Sequence, residues 1–351
     1  MSATAPNALH SAIHKLAFHE PLTGEDAERA FDVVMRGEAT AVQIASLLSA
    51  LRAAGESPEV VAGVVRALRS AMVALPADSP DDLVDTCGTG GGTVTTFNIS
   101  TVAAIVAAGA GVRVAKHGNR SFTTRCGSAD VLEALGIPID VPVPVMEKAL
   151  RETGIVFMFA PLMHPAMRHV GPIRRELGIP TVMNVVGPLA NPARAGRQVV
   201  GVADLERAPV LAGALSVLGS VHALVVYGEP GLDEVSPLGP THVVEVVNGT
   251  TKRWTIHPED HGYKKVSRDD LRGSEPAENA KLIEKILEGG GPKGARAATV
   301  LNAAAAIYVS GRVASFGEGV AAAEKSIESG AAKQVLEKMK RAYATPAKSN
   351  S

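Results

Sequence analysis

Residues 85–120 read DTCGTGGGTVTTFNISTVAAIVAAGAGVRVAKHGNR, and the order of elements within this stretch decides the fold. A short strand is followed by a glycine-rich loop, a helix that opens near Ser100, and a second strand that ends in Lys116 to Arg120. This order is typical of a strand–helix–strand unit with parallel strands. The fold predicted from it is α/β, with a parallel sheet covered by helices.

Together, the glycine-rich loop and the end of the second strand predict a phosphate-binding site. Glycines let the backbone adopt positive φ and bring its N–H groups close to a ligand, and a helix N-terminus adds further N–H donors. Lys116 and Arg120 arrive at the carboxyl end of the next strand, where open α/β sheets bind their ligands. The alternative is a structural turn before a core helix, with both basic side chains in solvent. The loop glycines are Gly88, Gly90, Gly91 and Gly92.

Composition indicates a folded protein with a small-molecule partner. The 351 residues are 46% hydrophobic, and the formal net charge of -1 without a long basic run disfavours nucleic-acid binding. Two cysteines, Cys87 and Cys126, exclude a disulfide framework and fit a reducing compartment. The first twenty residues lack a secretory apolar stretch, and no segment has the length of a membrane span, so we expect a cytoplasmic protein without membrane contact.

The pattern along the chain predicts a helical segment followed by an α/β segment. Residues 23–73 contain three helices, which start at Thr23, Thr40 and Ser57. Short apolar runs then alternate with helical patterns, which indicates a mostly parallel sheet. A further helix within 164–178 interrupts this alternation and is expected to return to the helical unit. The predicted strands are 83–84, 112–115, 155–159, 199–202, 223–227 and 241–246.

We therefore expect two domains. The small helical domain comprises residues 1–76, joined by about 168–190, and is discontinuous in sequence. The large α/β domain comprises residues 77–167 and 191–345, with a mostly parallel central sheet flanked by helices.

A series of ordered motifs extends over nearly the whole length of the chain. Besides the glycine loop, the motifs are GEATAVQIASLLSALRAAGES (37–57), NIST (98–101), AKHGNR (115–120), GSADVLEALG (127–136), FAPLMHPAMRHVGPIRRELG (159–178), NVVGPLANP (184–192) and GLDE (231–234). This series resembles the anthranilate phosphoribosyltransferases of tryptophan biosynthesis. The resemblance implies transfer of the phosphoribosyl group of phosphoribosyl pyrophosphate (PRPP) to the amino group of anthranilate. It also implies a homodimer and an active site between a small helical domain and a large α/β domain.

The resemblance also implies site residues, with no single catalytic group among them. Anthranilate would be bound by Gly88, His117, Asn119 and Arg174, and Mg²⁺ by Ser100, Asp233 and Glu234. One departure concerns the loop, which reads GTGGD in the family but has Gly92 at the acidic position. The residues implied for PRPP are Gly88, Gly91, Gly92, Thr96, Asn98, Ile99, Ser100, Thr101, Lys116, His117, Gly118, Asn119, Arg120, Ser121, Phe122, Thr123, Thr124 and Ser128.

Several of these residues also have a structural interpretation. Asn98, Ser100 and Ser128 are typical helix caps, and adjacent acids in a loop are most often solvated. A lone histidine is more often structural than catalytic. We therefore expect His117 to line a pocket and His164, before Pro165, to lie in a turn.

Two other functions fit the same plan. A pyrimidine-nucleoside-phosphorylase-like enzyme would need a nucleobase site and a different glycine loop. A non-enzymatic relative that binds nucleic acid would need a basic groove and would lack the substrate residues. The balanced charge and the presence of Asn119, Arg174, Asp233 and Glu234 favour the transferase.

Overall fold

The computed structural model describes residues 7–121, 125–264 and 266–344. Its N-terminal part is helical, and the predicted helix starts are confirmed. Thr23 and Thr40 each close a capping box, and the Ser57 hydroxyl accepts a hydrogen bond from Val60 N. The first helix, capped by Asn7, lies outside the segment that the sequence pattern indicated. These helices are α1 (Ala8–Ala17), α2 (Gly24–Met35), α3 (Ala41–Ala54) and α4 (Pro58–Ser70).

A seven-stranded sheet in the order β3-β2-β1-β4-β5-β6-β7 forms the centre of the α/β part. The first five strands are parallel, which confirms the mostly parallel sheet, whereas β6 and β7 are antiparallel. No helix separates β5 from β6, so the chain reverses directly through the loop 229–240. The strands are β1 (Leu83–Gly88), β2 (Arg113–Gly118), β3 (Ile155–Phe159), β4 (Arg197–Gly201), β5 (His222–Gly228), β6 (Thr241–Val247) and β7 (Thr250–Ile256).

Helices cover both faces of the sheet. The helix predicted within 164–178 is interrupted, because Pro172 near the start of α9 cannot donate the hydrogen bond that would continue the preceding 3₁₀ turn, Pro165–His169. The remaining α-helices are α5 (Ile99–Gly109), α6 (Ser128–Ala134), α7 (Val143–Thr153), α8 (Ala160–Met163), α9 (Gly171–Leu177), α10 (Val186–Leu189), α11 (Ala208–Val217), α12 (Pro276–Leu287), α13 (Lys293–Val309), α14 (Phe316–Glu328) and α15 (Ala331–Ala344). Other 3₁₀ turns are Pro80–Asp82, Val182–Asn184, Leu205–Arg207, Pro258–His261 and Arg268–Leu271.

Side chains alternate between two apolar cores along each central strand. Val199 and Leu224 face the core formed with α5 and α12–α15. Val200 and Val225 face the other core, which contains α11 and the four N-terminal helices. Residues of 170–190, including Val186, belong to this second core. The domain boundaries stay a prediction.

The N-terminal helices dock closely on α11. Gly213 packs against the Pro58 ring, since a Cβ at this glycine would lie 2.8 Å from the proline side chain. Beside this contact Arg207 Nη1 donates to Glu56 Oε2 at 2.7 Å. Among the helices of the described ranges, none is long and apolar enough to cross a membrane.

Candidate functional site

The glycine loop after β1 packs against the loop that follows β5. Gly90 N donates to Asp233 Oδ2 at 2.9 Å, and Thr93 N donates to Gly231 O at 3.0 Å. The Thr93 hydroxyl donates to Pro230 O at 3.0 Å. The adjacent acids of GLDE therefore lie directly beside the glycines at the carboxyl end of the sheet.

Two kinds of glycine are needed for this arrangement. A Cβ at Gly88 would overlap the Asp233 carboxylate, and one at Gly201 would overlap the Asp233 backbone. Gly90 and Gly91 instead have open space around them, but their φ values of 73° and 84° are rarely adopted by other residues. The first pair is required for close approach and the second for backbone conformation.

The start of α5 faces the same acids. Ser100 N donates to Glu234 Oε1 at 3.2 Å. The side chain of Asn98 does not cap the helix: its Nδ2 donates to Cys126 O, and its Oδ1 accepts from Asn279 Nδ2 at 2.9 Å. Asn98 itself is left-handed, with φ of 67° and ψ of 46°. The expected capping interpretation therefore does not describe Asn98, which instead connects three elements.

Lys116 is buried and points toward α5. The alternative interpretation, a basic side chain in solvent, is therefore wrong for Lys116. Only 3% of the residue is exposed, and its Nζ donates to Thr86 O at 2.5 Å and to Ser100 Oγ at 3.1 Å. Burial lowers the pKa of the ammonium group, whereas Asp85 and Glu234 oppose that shift. Lys116 thus supplies the positive charge beside the acids and fixes the Ser100 hydroxyl.

Arg120 points elsewhere, onto the surface of α6. Its guanidinium donates to Asp130 Oδ1 at 2.8 Å and to Glu133 Oε2 at 2.6 Å, and it lies 5.6 Å from the centre of the Phe159 ring. Its phosphate contact stays a prediction. The expected cap of α6 is also shifted, because the capping residue is Gly127 and Ser128 is the first helical residue. Phe122, Thr123 and Thr124 lie outside the described residues.

Asp233 and Glu234 form a pair suited to a hard cation. Burial raises the pKa of Asp233, and burial together with the Asp233 carboxylate raises the pKa of Glu234 to about 8. Glu234 Oε2 is buried and has no hydrogen-bond partner among the described residues. In those residues no cluster of three or more His, Cys, Asp or Glu is present.

A third buried carboxylate, Asp85, was not predicted as part of the site. It accepts hydrogen bonds from His117 N at 3.1 Å and from Asn191 Nδ2 at 2.7 Å, and Asn191 Nδ2 also donates to Ala115 O. Burial raises the Asp85 pKa to about 6, although Lys116 opposes the shift. The only sequence signal was an aspartate directly after the predicted apolar strand 83–84. Asp85 and Asn191 hold β2 in the register that directs Lys116 to Ser100.

Two buried histidine side chains lie in contact next to the hydrogen bonds of Asp85. The rings of His117 and His164 are 4.9 Å apart, and the Nε2 atom of each is buried without a partner among the described residues. Burial is the main cause that lowers their pKa values to about 3 and about 4, respectively. His164, expected only in a turn, therefore lies against the predicted pocket residue.

Arg174 lies on α9 as a half-buried guanidinium. Within the described ranges it makes no hydrogen bond or ion pair, and burial lowers its pKa. Its neighbour Arg175 is exposed. A half-buried cation without a counterion is suited to bind an anionic ligand.

Comparison with known proteins identifies the family. The model of a glycosyl transferase family helical bundle domain matches residues 10–72, and that of the family's a/b domain matches residues 80–333. Anthranilate phosphoribosyltransferase of Rubrobacter xylanophilus is 48% identical over 333 residues, which cover 95% of this chain and 97% of that protein. The chain belongs to the anthranilate phosphoribosyltransferase family. The enzyme of Geobacillus kaustophilus is 46% identical over 95% of this chain and 97% of its own length.

Solved anthranilate phosphoribosyltransferases share the fold. The Thermus thermophilus crystal structure has a TM-score of 0.90 at 42% identity and covers 95% of this chain and 99% of that one. A Saccharomyces cerevisiae structure in complex with PRPP and Mg has a TM-score of 0.87 at 30% identity, and the match covers 96% of this chain and 98% of that one. Another S. cerevisiae structure, in complex with 4-fluoroanthranilate, has a TM-score of 0.85 at 29% identity, and the match covers 96% of this chain and 98% of that one.

The position at which this chain departs from the family's loop faces the acid pair. A Cβ at Gly92 would lie 3.0 Å from Gly231 O and 3.3 Å from Asp233 Oδ1. An aspartate here would therefore place a third carboxylate beside Asp233. With glycine at position 92, the site around the acid pair has one carboxylate fewer than it would have with aspartate.

Proposed function

We infer that this chain transfers the phosphoribosyl group of PRPP to the amino group of anthranilate, giving N-(5-phosphoribosyl)anthranilate and pyrophosphate in tryptophan biosynthesis. The observation that carries this inference is the near full-length similarity at 48% identity. The site agrees with it, since the glycine loop, the start of α5 and the acid pair lie together. No observation favours the phosphorylase or the nucleic-acid-binding alternative.

We propose that PRPP binds along the glycine loop and the first turn of α5. The backbone of Gly91, Gly92 and Ile99 and the hydroxyls of Ser100 and Thr101 suit phosphate oxygens. Thr101 Oγ1 is buried without a partner among the described residues, which leaves its hydroxyl available. The proposed set also includes residues of the loop, of the end of β2 and of the start of α6: Gly88, Thr96, Asn98, Lys116, His117, Gly118, Asn119, Arg120, Ser121 and Ser128.

Mg²⁺ is the cofactor, and the residues present fit it: Asp233 and Glu234 as carboxylates, with the Ser100 hydroxyl beside them. When bound, Mg²⁺ neutralises charge on the departing pyrophosphate. Lys116 holds the Ser100 hydroxyl in place and adds a fixed positive charge to the same region. Electrostatic stabilisation by preorganised groups is the main contribution that we assign to the protein.

We propose that anthranilate lies between Arg174, the two histidines, Asn119 and the Gly88 backbone. The guanidinium would bind the carboxylate, and the neutral rings of His117 and His164 would line the aromatic acceptor. The amine nitrogen forms a bond to C1 of the ribose while the bond from C1 to the pyrophosphate oxygen breaks, and the nitrogen then loses a proton. Because an aromatic amine is neutral at pH 7, positioning rather than a strong base is required.

The decisive experiment follows anthranilate fluorescence. We expect the emission to fall when the folded protein is mixed with anthranilate, PRPP and Mg²⁺, and to stay constant when the protein, PRPP or Mg²⁺ is omitted. Constant emission with the complete mixture would exclude the proposed activity. Cleavage of uridine or thymidine by the protein when inorganic phosphate is supplied, giving the free base and the pentose 1-phosphate, would instead support the phosphorylase alternative.

Gly92→Asp is expected to change the Mg²⁺ dependence of the rate. The new carboxylate would lie beside Asp233 and strengthen cation binding, so the Mg²⁺ concentration for half-maximal rate should fall about tenfold, equivalent to about 1.4 kcal/mol. Rates measured at Mg²⁺ concentrations from about 0.01 to about 10 mM test this expected decrease in the half-maximal concentration. Gly92→Asn is the uncharged control, and identical profiles for both variants and the parent protein would refute the expectation.

We further propose a homodimer of two-domain subunits in the cytoplasm. The domain boundaries are those given above, and the dimer rests on the family resemblance. Sedimentation of the purified chain tests the dimer directly.

A further inference from the structure

Asn302 is a buried polar residue in the apolar helix α13, and its bonds cross to another element. Its side-chain Oδ1 accepts from Val235 N at 2.8 Å, and its Nδ2 donates to Val235 O at 2.8 Å. The second Nδ2 hydrogen donates to Ala298 O at 2.9 Å. The amide therefore pairs with both backbone groups of one residue, as a neighbouring strand would.

Val235 directly follows the acids Asp233 and Glu234. These residues belong to the loop 229–240, outside the strands β5 and β6, so no regular ladder fixes their backbone. The next residue, Ser236, is bound to the start of β6, since its N donates to Thr241 Oγ1. Asn302 is thus the contact through which α13 fixes the loop next to the acids, and it lines the same small cavity as Ser100, Asp233 and Glu234.

A packing role alone does not explain this residue. The neighbouring positions on α13, Leu301 and Ala303, are fully buried apolar residues, and an apolar residue of similar size at 302 would avoid burying an amide. Thr299, one turn earlier, offers a direct comparison. It is also buried and polar, but its hydroxyl donates only to Ala295 O within the helix.

We propose that Asn302 is a positioning residue for Mg²⁺ binding, because it fixes the backbone at Val235 and thereby the geometry of the Asp233 and Glu234 carboxylates. The inference rests on the proposed metal site. Residues that hold metal ligands in place typically change metal affinity by about 10- to 100-fold when they are replaced.

The test uses Asn302→Thr with Thr299→Val as the matched control. A threonine at 302 can still donate to Ala298 O, as Thr299 does to Ala295 O, but it is too short to pair with Val235. Binding of Mn²⁺, a paramagnetic substitute for Mg²⁺, is measured by the loss of the free-ion resonance, with inorganic pyrophosphate present. We expect about tenfold weaker Mn²⁺ binding in Asn302→Thr and unchanged binding in Thr299→Val.

Kinetics give an independent measurement. At limiting Mg²⁺ the KM for PRPP should rise in Asn302→Thr, whereas the KM for anthranilate should stay unchanged. If Asn302→Thr does not fold, Asn302→Ser takes its place, since its hydroxyl can still donate to Ala298 O but is too short to pair with Val235 and adds no charge to the cavity.

Glu234→Gln separates failure of this inference from failure of the metal site. If Glu234→Gln weakens Mn²⁺ binding but folded Asn302→Thr binds like the parent protein, Asn302 has no positioning role and the metal site stands. If Glu234→Gln binds Mn²⁺ like the parent protein, the metal site is wrong and the inference falls with it. Equal weakening in Thr299→Val and Asn302→Thr would show a general effect of disturbing α13 and would also overturn the inference.

Discussion

Glu234→Gln is expected to lower kcat/KM for PRPP about a thousandfold, which corresponds to about 4 kcal/mol of transition-state stabilisation. The variant removes one of two carboxylates available to the cation but keeps the shape of the side chain. The amide Oε1 can still accept the hydrogen bond from Ser100 N, so the loop should remain in place. Steady-state rates at saturating anthranilate, with the unfolding midpoint of each protein, measure both effects.

A buried glutamate far from the site provides the control for this variant. Glu245 on β6 accepts from His222 Nε2, Trp254 Nε1 and Tyr308 Oη, near the start of β5 rather than its end. Glu245→Gln should therefore lower the unfolding midpoint without changing the Mg²⁺ dependence of the rate. If Glu234→Gln loses less than tenfold in kcat/KM while it remains folded, Glu234 does not bind the metal.

Arg174→Ala is expected to raise the KM for anthranilate about a hundredfold, with a smaller change in kcat. A charge-assisted hydrogen-bonded contact contributes about 1.5–3 kcal/mol, and the upper value corresponds to a factor of about one hundred. The guanidinium has no partner among the described residues, so its removal should disturb no internal ion pair. Stability should change little.

Two further variants, Arg174→Lys and Arg175→Ala, test whether the guanidinium of Arg174 itself binds the carboxylate. Arg174→Lys keeps the charge but loses the planar fork, so it should recover only part of the affinity. Arg175→Ala removes an exposed arginine from the same helix and should leave the KM unchanged. An unchanged KM in Arg174→Ala would show that the anthranilate carboxylate binds elsewhere.

Local patterns in the sequence were sufficient for most of the fold. The capping residues Thr23 and Thr40 marked helix starts because their hydrogen bonds involve residues only three positions away. The edge strand β7 was missed, since TTKRWTI is mostly exposed and polar and obtains its pairing from β6. The direct turn from β5 into the antiparallel β6 also depends on tertiary pairing rather than on a local signal.

The candidate site was predictable where a motif is continuous and unpredictable where contacts are distant in sequence. The glycine loop and GLDE were recognisable, but their mutual contact joins Gly90 to Asp233, 143 positions apart. The supporting residue Asn302 gave no signal, because an isolated asparagine is most often a surface or turn residue. Asn191 lies within the motif NVVGPLANP, but its role was not predicted. Only the folded chain shows that both are buried with their amides fully engaged.

The glycines that surround Asp233 limit how this protein can vary. Gly88 and Gly201 leave no volume for a methyl group beside Asp233, whereas Gly90 and Gly91 have room but need a backbone geometry that asparagine can also adopt. Substitutions by alanine and by asparagine therefore separate the two kinds of glycine. At Gly88 and Gly201 the available volume limits which residues are tolerated, whereas at Gly90 and Gly91 the backbone dihedral angles do. Relatives can therefore differ at Gly90 and Gly91 without displacing Asp233.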